Sequence, residues 1–119
     1  MLVEVLKSKI HRVRLTDTNL NYIGSISLDE NLMEAAGLVD GEKVHVLNVN
    51  NGNRLETYVI RSQTPGEVAL HGPASRWAEK GDVLIIVSYA QMDIDKARSF
   101  LPRIIYPDEK TNQLSNSQN

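Results

Sequence analysis

Hydrophobic and polar residues alternate over short segments along most of this chain. A period of two predicts β-strands that turn one face toward a core and the other toward solvent. The alternation is clear over residues 9–15, and residues 22–28, 44–49, 54–60, 68–70 and 83–89 are further candidate strands. In the first segment, alternation places Lys9 and His11 on the same face as Val13. Ile10 is then expected on the opposite face.

Residues that favour turns and helix ends separate these strands. Residues 50–53 contain an Asn-Gly pair between two strand segments, which predicts a β-hairpin because both residues tolerate positive φ. Three short helices are also predicted, over residues 30–36 after a capping Asp29, from Pro73 to about residue 79, and over 94–100 after a capping Asp93. Gly37 is expected to end the first of them.

Closely spaced strands with few helices are typical of a small β-barrel or a β-sandwich, and the alternation does not distinguish the two. The 119 residues suit a single domain, which we predict over residues 1–106. Residues 107–119 are polar and rich in Asn, Gln and Ser, so we predict a disordered tail. The longest apolar run, residues 83–87, is far shorter than the ~20 residues that cross a bilayer, and a soluble intracellular protein is expected.

Composition excludes several kinds of site. The chain has no cysteine, so disulfides and thiolate metal sites are excluded. The three histidines, His11, His45 and His71, do not have the spacing of a paired metal-ligand motif, and no metal site is expected. A net charge of −2 disfavours nucleic-acid binding. A chain this short buries a modest core, which favours oligomerisation.

Some polar residues lie at positions that favour chemistry, although each also has an ordinary structural interpretation. Gly24 and Ser25 lie within a predicted strand. In the ordinary interpretation Gly24 is a bulge and Ser25 is a surface hydroxyl. In the other interpretation the glycine marks a point where another part of the backbone approaches closely. Arg54 and Tyr58 share one strand face while Thr57 points to the other. These side chains, like Lys9 and His11, either face solvent or line a pocket for a small dianion; alternation leaves both interpretations open.

Another candidate site edge is the predicted junction between a strand and a helix at His71, Gly72 and Pro73. Backbone amides at the start of a helix favour anions, so this junction is a candidate edge of a binding site. His45 lies among apolar strand residues, and we interpret it as an ordinary strand histidine.

Several blocks of this sequence, in order and at matching spacing, resemble the aspartate 1-decarboxylase family. They are Lys9-Ile10-His11-Arg12, Leu20-Asn21-Tyr22-Ile23-Gly24-Ser25-Ile26, residues 28–37, Asn51-Gly52-Asn53-Arg54-Leu55-Glu56-Thr57-Tyr58, Gly72-Pro73-Ala74-Ser75-Arg76 and Gly81-Asp82-Val83-Leu84-Ile85-Ile86. The resemblance extends from about residue 7 to about residue 106, which is most of the chain. The combination is far more specific than any single block.

The resemblance implies a mainly β fold, a six-stranded double-psi β-barrel with short helices. It also implies a cytoplasmic homotetramer with active sites between neighbouring subunits. The implied reaction is the decarboxylation of L-aspartate to β-alanine, which supplies pantothenate and coenzyme A synthesis. Neither nucleic acid nor a membrane is an expected partner.

The resemblance further implies that the chain is an inactive precursor that cuts itself between Gly24 and Ser25. The products would be residues 1–24 and residues 25–119, with Ser25 converted into a covalent pyruvoyl cofactor that forms a Schiff base with the substrate. Thr57 and His71 would assist the cleavage, and Tyr58 would donate a proton after carbon dioxide leaves. Cleavage is either spontaneous or helped by a processing factor, and the sequence leaves both open.

The residues that the resemblance assigns to substrate binding are Lys9, His11, Tyr22, Arg54, Thr57, Gly72, Pro73 and Ala74. Since aspartate carries two carboxylates, cationic groups are required, and the planar fork of Arg54 suits one of them. We hypothesise that Arg54 holds the side-chain carboxylate, because pairing the departing carboxylate would stabilise the ground state.

One departure from the family pattern lies at His71 and Pro73, where relatives usually have Asn and Ala. Histidine titrates near neutrality, and proline lacks a backbone N–H. The processing rate, the pH dependence or the choice of substrate is therefore expected to differ from that of relatives.

Three alternative functions stay open. The first is a barrel relative that keeps Ser25 uncut and serves as a binding or regulatory module. The second is a pyruvoyl decarboxylase of another acidic amino acid such as glutamate, and the third is a small nucleic-acid-binding barrel, which the net charge disfavours.

Overall fold

The computed structural model describes residues 1–19 and 24–115. Within them lie eight strands, two α-helices and one 3-10 helix. The strands are β1 Leu2–Arg14, β2 Asp17–Asn19, β3 Ser25–Asp29, β4 Lys43–Asn48, β5 Arg54–Ser62, β6 Val68–His71, β7 Val83–Asp93 and β8 Arg103–Ile105. The α-helices are α1 Glu30–Ala36 and α2 Ile94–Ala97, and the 3-10 helix is Gly72–Trp77.

The strands form a barrel. Their order in the sheet is β2-β6-β3-β5-β4-β7-β1-β8, so β1 and β2 lie near opposite ends of the order. Only Leu15 and Thr16 separate β1 from β2 in the chain, and the Thr16 N–H donates to the Val68 carbonyl 2.7 Å away. The two ends of the sheet must therefore meet. The prediction of a small, mainly β barrel is confirmed, and two strands of three residues, β2 and β8, accompany six longer ones.

The core is built from rows of apolar side chains that cross several strands. One such row joins Ile10 of β1, Ile86 of β7, Val46 of β4 and Leu55 of β5 through directly opposed pairs. The first three are buried. Because side chains alternate along a strand, the adjacent row on the same four strands faces outward. Polar groups on β1, β4 and β5 are thereby placed on the outer surface of the barrel.

A β-bulge in β1 makes the predicted alternation wrong at Ile10. Ile10 is paired with Ile86 and Val13 with Leu84, so two residues of β1 oppose one residue of β7 between these pairs. Arg12, one of the two, has a φ of 71°. An extra residue reverses the alternation, and Ile10 and Val13 therefore both face the core.

The two α-helices begin where the sequence predicts, and the 3-10 helix begins at Gly72, one residue before the predicted Pro73. The Asp29 side chain caps α1 by accepting from the Asn31 N–H at 2.8 Å, and Gly37 ends the helix with a φ of 74°. Asp93 caps α2 in the same way, but α2 ends at Ala97, before the predicted residue 100. None of the helices in the described part of the chain is long and apolar enough to span a membrane.

The segment after residue 106, for which the sequence predicts disorder, packs against the barrel as far as residue 115; residues 116–119 lie outside the described residues. Asn112 is 2% exposed and joins the segment to the end of β1 and to the loop that contains Gly66. Its side-chain oxygen accepts from the Arg14 N–H at 2.8 Å, and its amide donates to the carbonyls of Arg14 and Gly66 at 2.8 and 2.9 Å. A Cβ at Gly66 would lie 2.5 Å from the Thr111 carbonyl oxygen, so this close approach requires glycine.

Replacing Asn112 with alanine is expected to lower the free energy of unfolding by about 3 kcal/mol, because the three hydrogen bonds of this buried side chain are lost at about 1 kcal/mol each. Urea denaturation followed by circular dichroism measures the change. Asn31→Ala is the matched control, since Asn31 is exposed, and its effect should stay within about 0.5 kcal/mol. Equal losses for the two variants would contradict the proposed importance of Asn112 for stability.

Candidate active site

Ser25 opens β3 directly after a bend at Gly24 and is only 1% exposed. It is paired with His71 on the neighbouring antiparallel strand β6. A Cβ at Gly24 would lie 3.8 Å from both the His71 carbonyl oxygen and the Pro73 Cδ, which are ordinary contact distances. Packing alone therefore does not require glycine at this position. The Gly24–Ser25 bond lies beside the junction between β6 and the 3-10 helix.

Tyr58 lies next to Ser25 on the adjacent strand. β3 and β5 are parallel, Ile26 is paired with Val59, and Ser25 and Tyr58 each precede one member of this pair. Paired strands are about 4.8 Å apart, so these two residues are neighbours. Since Ile26 and Val59 face the core, Ser25 and Tyr58 share the opposite face. Tyr58 is 37% exposed and thus accessible from outside the barrel.

Thr57 is half-buried and lies on the other face of β5 from Arg54 and Tyr58, as the alternation predicts. It is paired with Val44 of β4, whose side chain is fully buried in the core. Its hydroxyl therefore lies on the core side of the strand, whereas Tyr58 lies on the outer side.

His71 is held by a residue that the sequence analysis did not single out. The His71 Nε2 lies 2.8 Å from the hydroxyl oxygen of Ser27, which is buried on β3. Ser27 follows Ser25 by two positions, so both belong to the same strand face. The spacing of two indicates that Ser27 lies on the same face as Ser25. It does not indicate the contact with His71, because the pairing of β3 with β6 is a tertiary feature that one sequence does not reveal.

Gly72, Pro73 and Ala74 form the start of the 3-10 helix. Gly72 is buried with a φ of 65°, Pro73 is exposed, and Ala74 packs against the core. Together with the contact between Pro73 and the Gly24 position, this placement brings the predicted junction next to the predicted cleavage site.

Arg54 makes two side-chain contacts on the outer surface. Its Nε donates to the His45 Nδ1 at 3.3 Å, and its Nη2 donates to the Tyr89 hydroxyl at 2.9 Å. The rings of His45 and Tyr89 pack edge to face with centroids 5.3 Å apart. From the sequence alone His45 is an ordinary strand residue and Tyr89 has no distinctive signal, because their convergence depends on the pairing of β4 with β5 and β7.

Glu56 extends this surface cluster. It is directly opposite His45, with the His45 Nε2 3.6 Å from a carboxylate oxygen, and the Lys43 ammonium lies 3.1 Å from the other oxygen. The hydrogen bond from Lys43, followed by the charges of Lys43 and His45, lowers the pKa of Glu56 below its ordinary value. Glu56 is therefore ionised at neutral pH.

Lys9 and His11 lie on β1, four strands away from β3 in the sheet order. Lys9 is in the outer row that includes Val87, His45 and Glu56. The His11 ring packs edge to face against Tyr106 with centroids 5.6 Å apart. Burial, and then the positive charges of Lys9 and Arg12, lowers the pKa of His11. At neutral pH its ring is therefore mainly neutral and adds little positive charge to this surface.

The remaining predicted site residue, Tyr22, lies outside the described residues. In residues 1–19 and 24–115, no group of three or more histidines and carboxylates is arranged to hold a metal ion. The described candidate residues form two groups within one chain. The first group is Gly24, Ser25, Ser27, Tyr58 and His71, and the second is Arg54, His45, Tyr89 and Glu56.

Comparison with known proteins gives a consistent result. A family model described as aspartate decarboxylase matches residues 1–114. A relative from Flavobacterium psychrophilum named aspartate 1-decarboxylase is 54% identical over 115 residues, which cover 96% of this chain and 99% of the relative. Relatives of the same name from Christiangramia forsetii and Parabacteroides distasonis are 54% and 52% identical with the same coverage. The crystal structure of a computationally designed protein, msDPBB_sym2, is 17% identical with a TM-score of 0.42, over 71% of this chain and 96% of that one.

Proposed function

This chain belongs to the aspartate decarboxylase family, and we propose that it decarboxylates L-aspartate to β-alanine for pantothenate synthesis after cutting itself between Gly24 and Ser25. The observation that carries the proposal is the position of Ser25. It is shielded from water, follows a bend at Gly24 and lies beside an accessible tyrosine on the next strand.

The self-cleavage begins with attack of the Ser25 hydroxyl on the Gly24 carbonyl carbon. The acyl group of Gly24 moves from the Ser25 nitrogen to the Ser25 oxygen, which breaks the peptide bond and forms an ester. Removal of the Ser25 α-proton then expels residues 1–24 as a carboxylate and leaves dehydroalanine at position 25. Water adds to that residue and ammonia leaves, which gives the pyruvoyl group. Burial of Ser25 excludes competing water, and fixed donors must stabilise the oxyanion that forms. We assign this stabilisation to Thr57 and to His71, whose ring is held by Ser27.

The residues around position 25 fit a pyruvoyl group. The Ser25 position is almost fully buried, so a reactive carbonyl there would be protected from solvent, and Tyr58 and His71 on the flanking strands offer polar groups. When present, this group supplies an electron-withdrawing carbonyl that accepts the electron pair released as carbon dioxide leaves. Tyr58 then donates a proton to the α-carbon, which its position beside residue 25 favours.

Arg54 binds one carboxylate of the substrate in this proposal. A guanidinium has five N–H donors, and two of those of Arg54 are used by His45 and Tyr89. The remaining donors suit a bidentate contact with the side-chain carboxylate of aspartate. Tyr22, Gly72, Pro73 and Ala74 complete the proposed substrate pocket.

We propose that the active enzyme is a cytoplasmic homotetramer. β1, which carries Lys9 and His11, lies four positions from β3, which carries Ser25, in the strand order of the sheet. This separation supports the assembly, because a neighbouring subunit can bring its Lys9 and His11 to the Ser25 position. The exposed apolar side chains of Trp77, Leu101 and Tyr106 are further candidates for contact between subunits.

Turnover of L-aspartate and L-glutamate by the same purified preparation tests the proposed substrate. We expect β-alanine from aspartate and at least about tenfold slower release of carbon dioxide from glutamate, because one extra methylene displaces the second carboxylate from Arg54. Ser25→Ala protein is the control for background decarboxylation. A cleaved protein that prefers glutamate, or turns over neither amino acid, would refute the assignment.

A further inference from the structure

The guanidinium of Arg54 is held in place by two other strands. His45 belongs to β4 and Tyr89 to β7, and each accepts one hydrogen bond from it. An exposed arginine normally samples many rotamers, and fixing them costs free energy when a ligand binds. Two contacts from rigid strands reduce that cost before any substrate arrives.

The two donors in use leave a defined part of the guanidinium for a ligand. Nε and Nη2 form one edge of the planar group, and this edge faces His45 and Tyr89. The other edge, formed by Nη1 and Nη2, keeps a pair of parallel N–H groups. No further hydrogen bond from Arg54 is present within the described residues, so this second edge can receive a carboxylate in the bidentate geometry that arginine favours.

The orientation of His45 is fixed as well. Its Nδ1 accepts from Arg54, so a neutral ring carries its proton on Nε2, which faces the Glu56 carboxylate at 3.6 Å. Its edge-to-face contact with Tyr89 restricts the ring further. Glu56, itself held by Lys43, thus orients His45, and His45 orients Arg54.

We infer that His45 and Tyr89 are positioning residues, which fix Arg54 so that its outer edge receives one carboxylate of the dicarboxylic substrate. The inference rests on the proposed function, since it assigns these residues to the same substrate-binding arginine. Neither residue touches the substrate. Their effect is on the affinity for the substrate and not on the chemical step.

The first test is Tyr89→Phe, which removes one hydroxyl and keeps the ring. We expect the KM for L-aspartate to rise about fivefold, the effect of one lost hydrogen bond, while kcat stays within about twofold. Rates are normalised to the fraction of cleaved chain measured by mass spectrometry. An unchanged KM, or a loss confined to kcat, would overturn the role of Tyr89.

The second test compares His45→Ala with His45→Asn. The alanine variant lacks the acceptor that holds the Arg54 Nε–H and should show a raised KM for L-aspartate. The asparagine variant can place an amide oxygen near the Nδ1 position, so it should keep a KM near that of the wild type. Equal KM values for wild type and His45→Ala, or no rescue by asparagine, would overturn the role of His45.

The double variant Arg54→Lys, Tyr89→Phe tests whether the Tyr89 hydroxyl acts on the KM through Arg54 or through a general change of the protein surface. Lysine lacks the planar fork, so Tyr89→Phe should change the KM by less than about twofold there. A full fivefold effect in that background would contradict the inference. If wild-type protein makes no β-alanine, the proposed function itself fails, whereas loss of only these KM effects leaves it intact.

Discussion

Ser25→Ala protein is expected to remain one uncut chain of 119 residues without decarboxylase activity. The methyl group of alanine cannot attack the Gly24 carbonyl, so neither the ester nor the reactive carbonyl derived from it can form. The loss should be complete, because no other hydroxyl takes the place of Ser25. Ser27 is the nearest on the same strand face, but its side chain is engaged with His71.

Denaturing electrophoresis and β-alanine assays on freshly purified and aged protein measure both consequences of Ser25→Ala. Ser99→Ala is the matched control, since it removes the same hydroxyl from an exposed position outside the site and should cleave like wild type. Cleavage or turnover by the Ser25→Ala protein would show that the catalytic group comes from elsewhere.

Tyr58→Phe is expected to cleave normally but to lose most of its turnover. Its hydroxyl is the proposed proton donor, and a positioned acid contributes about 10²–10⁴-fold to a rate, so kcat should fall by that factor. Phenylalanine keeps the ring on the outer face of β5, where the residue is 37% exposed, so the barrel should remain stable.

The separation of cleavage from turnover is the readout for Tyr58. Intact mass gives the fraction of cleaved chain in the Tyr58→Phe protein, and a steady-state assay of β-alanine gives kcat for that fraction. Unchanged kcat would remove the assigned role, and failure to cleave would place Tyr58 in the processing step instead.

The parts of this structure that depend on local sequence were predictable. Alternation along β5 places Thr57 opposite Arg54 and Tyr58, the Asn-Gly pair predicts the turn between β4 and β5, and Asp29 and Gly37 mark the ends of α1. Each of these signals comes from residues a few positions apart, where backbone geometry alone decides the outcome.

The parts that depend on distant residues were not predictable. The bulge at Arg12 reverses the alternation of β1. A glycine would have been a sequence signal for this bulge, but the position holds an arginine. Asn112 contacts residues 46 and 98 positions away. The partners of Arg54 likewise come from two other strands, so the sequence alone indicated the arginine but not the groups that orient it.

Electrospray mass spectrometry of freshly purified wild-type protein, before and after borohydride treatment with L-aspartate, tests the central claim most directly. The account predicts two fragments, residues 1–24 and residues 25–119, with the larger one lighter by one ammonia than a serine-headed chain. Borohydride should attach aspartate covalently to that larger fragment. A single uncut polypeptide that traps no amino acid, even after long incubation and with any required helper protein, would contradict the account.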